Sequence, residues 1–215
     1  MHHRNQRDDK ASIGSYSRIE LALINQARHM LAWLLMPVVA LLARAHVKPN
    51  TVSFSQIPIG FAAAALITNA PRVAFGLFLS ALLLDAVDGA LARKQCSMSS
   101  YGSLADQISD HVREITIIGG LVAADAMHGG IGVAYALLYP AANIMLYISN
   151  RLNTSVPLAI KTWLSFYPFL LIFLWFDINH LDYAAAVAAG FMVLTSAWAL
   201  LLVRRRTYQS GSPIC

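Results

Sequence analysis

Six apolar runs follow one another along a chain of 215 residues, at about Val52–Thr68, Val73–Leu91, Leu104–Ala124, Ile131–Ser149, Leu158–Phe176 and Tyr183–Val203. A helix needs roughly 20 apolar residues to cross a hydrocarbon core of about 30 Å, and each run is near that length. Lipid offers no hydrogen bonds to backbone N–H and C=O groups, so runs of this kind close their bonds internally as helices. Composition points the same way: 57% of the residues are hydrophobic and 13% are charged, where a soluble domain carries about 25% charged residues. The expected fold is an all-α integral membrane protein with six transmembrane helices in one domain.

The connections between runs alternate in charge. Arg44 and Lys48 precede the first run, Arg72 alone follows it, and then come Arg93 with Lys94, His128 among glycines, Arg151 with Lys161, Asp177 with Asp182, and Arg204 to Arg206. Cationic residues collect on the cytosolic side of a membrane, so both termini and the basic connections are expected there. The formal charge of +5 is spread over these connections and the ends of the chain, which suits an anionic membrane surface and not a nucleic acid. A bacterial inner (plasma) membrane is the expected location.

Met30–Ala43 is a shorter apolar stretch that contains Pro37 and is bounded by Arg28, His29 and Arg44. A seventh span here would put the basic Arg4–Arg28 segment outside, against the charge rule. The chain is therefore expected to divide into a flexible polar tail (1–17), an interfacial amphipathic helix (18–46), a six-helix transmembrane domain (47–206) and a C-terminal tail (207–215). The first 17 residues do not lead into a cleavable signal. Cys96 and Cys215 are too few for a disulfide framework. Trp163, Tyr167, Trp175 and Trp198 read as interface or packing aromatics.

Chemistry concentrates where the second run ends and the third begins. Asp85, Asp88 and Ala92 stand at i, i+3 and i+7, and Gly102, Asp106 and Asp110 at i, i+4 and i+8, so each set shares one helix face. A tight connection through Gln95–Tyr101 would turn the two helices antiparallel and gather four carboxylates near one membrane surface. Such a cluster repels itself unless a divalent cation or shared protons neutralise it. Carboxylates within a membrane are costly and mark function; helix capping, the plainer explanation, needs one carboxylate and not four on two helices. One or two hard cations such as Mg²⁺ or Mn²⁺, with two expected, would take such oxygen ligands and bridge to substrate phosphates. Gly89 and Ala92 leave room for a nucleotide against the helix. Arg93 can pair with a phosphate or anchor the helix end, and Lys94 reads as an anchor.

Lys48–Ser53 joins the leading helix to the first run. Pro49 disfavours helix at the residue before it, and Asn50 or Thr51 can cap the helix that follows. A phosphorylated acceptor would need cations on the same side, for which Arg113, Arg151 and Lys161 are placed, although the last two serve equally well as membrane anchors. His111 and Glu114, just past Asp110, are either partners of the carboxylates or packed groups.

The pattern D-x-x-D-G-x-x-A-R-x8-G-x-x-x-D-x-x-x-D, filled by Asp85, Asp88, Gly89, Ala92, Arg93, Gly102, Asp106 and Asp110, resembles the signature of the CDP-alcohol phosphotransferase family. The resemblance implies metal-dependent transfer of a phosphatidyl group from a CDP-linked lipid, such as CDP-diacylglycerol, to the hydroxyl of a small polar alcohol, with release of CMP. It implies Asp85, Asp88, Asp106 and Asp110 as metal ligands, with Asp110 also deprotonating the acceptor. A metal-bound carboxylate is a weak base, so that role depends on its acidic neighbours. The CDP site would be lined by Gly89, Ala92, Arg93 and Gly102, together with Asn50 and Ser53 of a Pro-Asn-x-x-Ser turn. A homodimer is implied as well.

Lys161-Thr162 resembles a Lys-Thr pair of phosphatidylglycerophosphate synthases, which makes glycerol 3-phosphate the expected acceptor; inositol phosphate, inositol and serine are the alternatives. Two other classes also place carboxylates on membrane helices. A prenyl-diphosphate transferase is disfavoured by the small number of spans and the complete D-G-x-x-A-R arrangement. A membrane cation transporter is disfavoured by the absence of internal repeats and by aspartates near one face. Direct attack on phosphorus and a phospho-aspartate intermediate both remain open at this level.

Overall fold

The computed structural model describes residues 34–152, 154, 156 and 162–209, and these form helices without a strand. The helices are α1 (Leu34–Arg44), α2 (Pro49–Leu66), α3 (Pro71–Lys94), α4 (Ser100–Ala123), α5 (Gly129–Arg151), α6 (Thr162–Ser165), α7 (Tyr167–Phe176) and α8 (Leu181–Gln209). The expected polar tail, the first half of the expected interfacial helix and Lys161 lie outside the described residues.

Among the described residues, three helices are long and apolar enough to cross a membrane: Pro71–Lys94, Gly129–Arg151 and Leu181–Arg206. α4 is as long as α3, at 24 residues. It differs by carrying Asp106, Asp110, Arg113 and Glu114, and α2 likewise carries Asn50, Ser53 and Gln56. The fifth apolar run departs from expectation. Instead of one continuous helix it holds two pieces that break at Phe166, just before α7 starts with Pro168 in its first turn. Pro168 has no N–H to donate to Leu164 and its ring crowds that carbonyl, so the first piece cannot run on through it, whereas the first turn of a new helix accepts it. With 10 residues, α7 is about 15 Å long, half a hydrocarbon core.

The surface inverts the pattern of a soluble protein. Leu137, Leu194, Val133 and Leu201 are 68%, 66%, 61% and 54% exposed, while the interior is rich in small residues such as Ala63, Ala81, Ala185 and Ala199. Bulky apolar groups outside and alanines between helices suit packing within lipid, where close backbone approach takes over from hydrophobic expulsion. Together with the three long apolar helices, this is the construction of an integral membrane protein.

α2 packs along both α3 and α4 and lies between them; α5 packs chiefly against α8, and α7 reaches α3 and α8. The main core joins Ala63 of α2 and Ile67 just after it, Phe78 of α3, Ile118 and Leu121 of α4, Tyr135 of α5 and Leu170 of α7. A smaller one seats Leu35 and Val39 of α1 on Val52, Val87 and Leu91, beside the aspartate end of α2 and α3.

Three chain reversals are built alike. After α1, α3 and α4 the residues His46, Cys96 and Asp125 take φ of 52°, 51° and 53°. In each case the amide after that residue bonds five residues back, Val47 to Leu42, Ser97 to Ala92 and Ala126 to Leu121, at 2.9–3.0 Å. This is the Schellman ending of a helix, which most often uses glycine at the left-handed position. At Cys96 it folds the chain sharply between the two aspartate-bearing helices.

Candidate active site

The aspartates meet at the end of α3 and the start of α4. Ser99 caps α4 by accepting a hydrogen bond from the Gly102 amide at 3.0 Å, which sets the helix so that Asp106 follows one turn later. Gln95 Nε2 donates to Val47 O at 2.9 Å and ties the reversal to the α1–α2 connection. As a result, one carboxylate oxygen each from Asp85, Asp88 and Asp106 lies within 4.8 Å of the other two. Asp88 is 4% exposed. Asp106 Oδ1 is buried with no hydrogen-bond partner among the described residues.

This arrangement fits a hard divalent cation. Such ions take carboxylate oxygens at about 2.0–2.6 Å, so ligands on opposite sides of one ion stand about 4–5 Å apart. An acceptor oxygen sealed from water without a donor is expensive, and three mutually close carboxylates add repulsion; a cation removes both costs.

Asp110 stands one turn beyond Asp106, close enough to act electrostatically on both Asp88 and Asp106. The described metal-ligand cluster consists of the other three aspartates, and Asp110 Oδ1 is 2.8 Å from Arg113 Nη1.

The proposed nucleotide residues surround the same spot. Ser53, 2% exposed, donates from Oγ to Asp88 Oδ2 at 2.5 Å. Asn50 borders Gly102: a Cβ added to that glycine would stand 3.3 Å from Asn50 Oδ1 and 3.3 Å from Ser99 Oγ. The Arg93 guanidinium extends back along α3, with Nη1 3.4 Å from where a Cβ on Gly89 would be. Ala92 is half-buried and Arg93 exposed.

The acceptor candidates separate. Arg113 is 2% exposed and turned inward, with Nη1 donating to Gln56 Oε1 as well as facing Asp110. Arg151 is exposed at the end of α5, donates from Nε to Tyr147 Oη at 3.0 Å and lies 5.1 Å from that ring's centre.

Tyr135 and Gln56 escape sequence reasoning, and Glu114, expected as a partner of the carboxylates or a packed group, takes its contacts from the fold. Glu114 is 1% exposed and accepts from Tyr135 Oη at 2.6 Å and Tyr167 Oη at 2.8 Å. Tyr167 is thus more than a packing aromatic: its ring meets Phe78 edge to face while its hydroxyl reaches a buried carboxylate. Gln56 carried one usable sign, a fully polar side chain in an apolar run, three residues from Ser53 and so on its face. His111 packs edge-on against Tyr139, with ring centres 5.4 Å apart.

An all-helical membrane architecture with clustered carboxylates at one end of two helices defines a class: an integral membrane protein with a carboxylate cluster whose geometry fits a divalent cation. The sequence matches the family described as CDP-alcohol phosphatidyltransferase over residues 46–203, a stretch that includes every described aspartate of the cluster. The chain belongs to this family of transferases. It is also similar to a CDP-diacylglycerol–glycerol-3-phosphate 3-phosphatidyltransferase of Mycoplasma genitalium, with 36% identity over 70 residues. That match covers 33% of this chain and 28% of the relative, so the chain spans little more than a quarter of the protein it resembles.

Proposed function

We propose that this protein transfers a phosphatidyl group from a CDP-linked lipid of the CDP-diacylglycerol type to the hydroxyl of a small polar alcohol and releases CMP. The observation that carries the reading is the Asp85, Asp88 and Asp106 cluster, with oxygens within 4.8 Å of one another and Asp106 Oδ1 lacking a donor among the described residues. Asp85, Asp88 and Asp106, with Asp110 beside them, would hold Mg²⁺ or Mn²⁺ as two ions. Bound there, the metal supplies Lewis-acid polarisation of the pyrophosphate and offsets charge on the leaving phosphate.

The chain's own groups do the rest. Ser53 holds Asp88 in place, so its part in the nucleotide site is indirect. Gly89 and Gly102 let a cytidine diphosphate approach the helix backbones, with Asn50, Ala92 and Arg93 around it. Asp110 takes the proton as the acceptor oxygen bonds to the phosphatidyl phosphorus and the bond from that phosphorus to CMP breaks. Acidic neighbours on both helices repel its negative charge, which makes it a readier acceptor of that proton.

Glycerol 3-phosphate is the proposed acceptor, supported by the printed activity of the Mycoplasma relative and by the exposed cation Arg151. Arg113 serves the acceptor only at one remove, through Asp110, because its guanidinium is occupied inside the bundle. Six spans, a leading interfacial helix, a cytosolic active site at a bacterial inner membrane and a homodimer complete the proposal. Purified protein given CDP-diacylglycerol and Mg²⁺ is expected to release CMP only when glycerol 3-phosphate is added. Release with inositol phosphate, inositol or serine instead would replace the acceptor, and no CMP with any of the four would overturn the reaction.

A further inference from the structure

Three helices meet at the aspartates, yet carboxylates come from only two of them. The third, α2, contributes Ser53 and Gln56, whose spacing puts them on one face. Each grips a different neighbour: Ser53 Oγ donates to Asp88 on α3, and Gln56 Oε1 accepts from Arg113 Nη1 on α4. That same nitrogen is 2.8 Å from Asp110 Oδ1. A terminal guanidinium nitrogen carries two protons, so one can go to the amide and one to the carboxylate. Gly60, one turn beyond Gln56, makes the space: a Cβ there would stand 3.2 Å from Arg113 Cγ.

We propose that Gln56 is a positioning residue for the phosphatidyl transfer, acting through Arg113 to fix Asp110, so that α2 sets the register of the aspartates on α3 against those on α4. The inference rests on the transferase reading above.

Packing alone does not account for the residue. Gln56 is 0% exposed, and its Nε2 and the Nε of Arg113 are buried without partners among the described residues. An apolar side chain would fill the same space without stranding a donor, so the useful part of Gln56 is the carbonyl held by Arg113. Charge supports the arrangement. Asp110 and Arg113 alone form a neutral pair, which would weaken Asp110 as a metal ligand. Glu114, the next residue on α4, is buried and accepts from Tyr135 and Tyr167, so a second acidic side chain faces Arg113 and shares its charge with Asp110.

The test uses the full chain in nanodiscs, with Gln56→Leu, which removes the acceptor, and Gln56→Glu, which keeps size and acceptor but competes with Asp110 for Arg113. Both are expected to lower kcat for CMP release by about 10- to 100-fold, the range of a slightly misplaced reacting group. KM for CDP-diacylglycerol should stay within about threefold, since ground-state contacts are untouched. With Mn²⁺ alone, followed by electron paramagnetic resonance, Gln56→Glu should bind more tightly and Gln56→Leu no more tightly than the parent. A structural role would not move metal affinity in that pattern. Should Gln56→Leu fail to fold, Gln56→Glu decides the matter by itself. Parental kcat and Mn²⁺ affinity in a folded Gln56→Glu variant would overturn the proposal. Asp106→Asn runs as a control: Mn²⁺ binding that survives it defeats the metal and transferase reading, whereas binding lost in Asp106→Asn with unaltered Gln56 variants defeats only the positioning role.

Discussion

Asp106 is the residue on which the cluster turns. Its Oδ1 is buried without a donor among the described residues, and Asp85 and Asp110 both act on it as like charges. Anything that binds the folded state at such a site stabilises it by mass action, so the thermal midpoint of the parent protein should rise as MgCl₂ is added. Asp106→Asn relieves the repulsion and removes a ligand; its midpoint is expected not to respond to Mg²⁺, and CMP release should fall by at least about 100-fold, as when a preorganised electrostatic partner is lost. Differential scanning fluorimetry with and without the ion reads the first outcome directly. Asp110→Asn is expected to separate binding from turnover. An amide cannot take the acceptor's proton, so kcat should drop by about 10²–10⁴-fold. Retention of a radiolabelled CDP-lipid should change little, and unaltered turnover would remove Asp110 from its role as base.

Between elements, close approach is what holds the carboxylates at fixed separation. Gly120 of α4 packs on Ala64 of α2 so tightly that an added Cβ would stand 2.8 Å from Ala64 Cβ and 3.0 Å from its Cα. Backbone cannot yield as a flexible side chain does, so Gly120→Val should cost about 1–3 kcal/mol by overpacking. A lowered thermal midpoint together with weaker Mn²⁺ binding checks this, because pushing α4 from α2 also moves Arg113 from Gln56. The turn between α3 and α4 is equally specific. Left-handed backbone at Cys96, φ 51°, closes α3 without a glycine, and the Ser99 cap opens α4 three residues later.

For the molecule as a whole, the aspartates and the exposed Cys96 lie at the same end of the bundle, while Asp177 and Asn179 follow the opposite ends of their helices. The proposed topology, drawn from charge asymmetry, puts the aspartate end in the cytosol. In a Cys215→Ser background, a membrane-impermeant maleimide should therefore label Cys96 in inside-out vesicles and not in intact cells. In a Cys96→Ser, Cys215→Ser background, Asn179→Cys should show the reverse. Labelling of Cys96 from outside would invert the proposed topology and place the reaction on the wrong leaflet for a soluble cytosolic acceptor.

The sequence by itself determined the helical membrane class and the two sets of aspartates, because both depend on short-range regularities. Apolar run length is compared with bilayer thickness, and spacing of three or four residues puts side chains on one helix face whatever the rest of the chain does. Even the serine and glycines of the site were legible from their place in a fixed pattern. Only the tertiary structure decided what those groups touch: that Ser53 faces Asp88, that Arg113 turns inward to Gln56, and that Glu114 is held by Tyr135 and Tyr167. These partners are 35, 57, 21 and 53 residues apart, and no local periodicity encodes such pairings. They arise because α2 packs between α3 and α4, and in a crowded, water-poor interior each buried charge takes the nearest partner the packing brings to it.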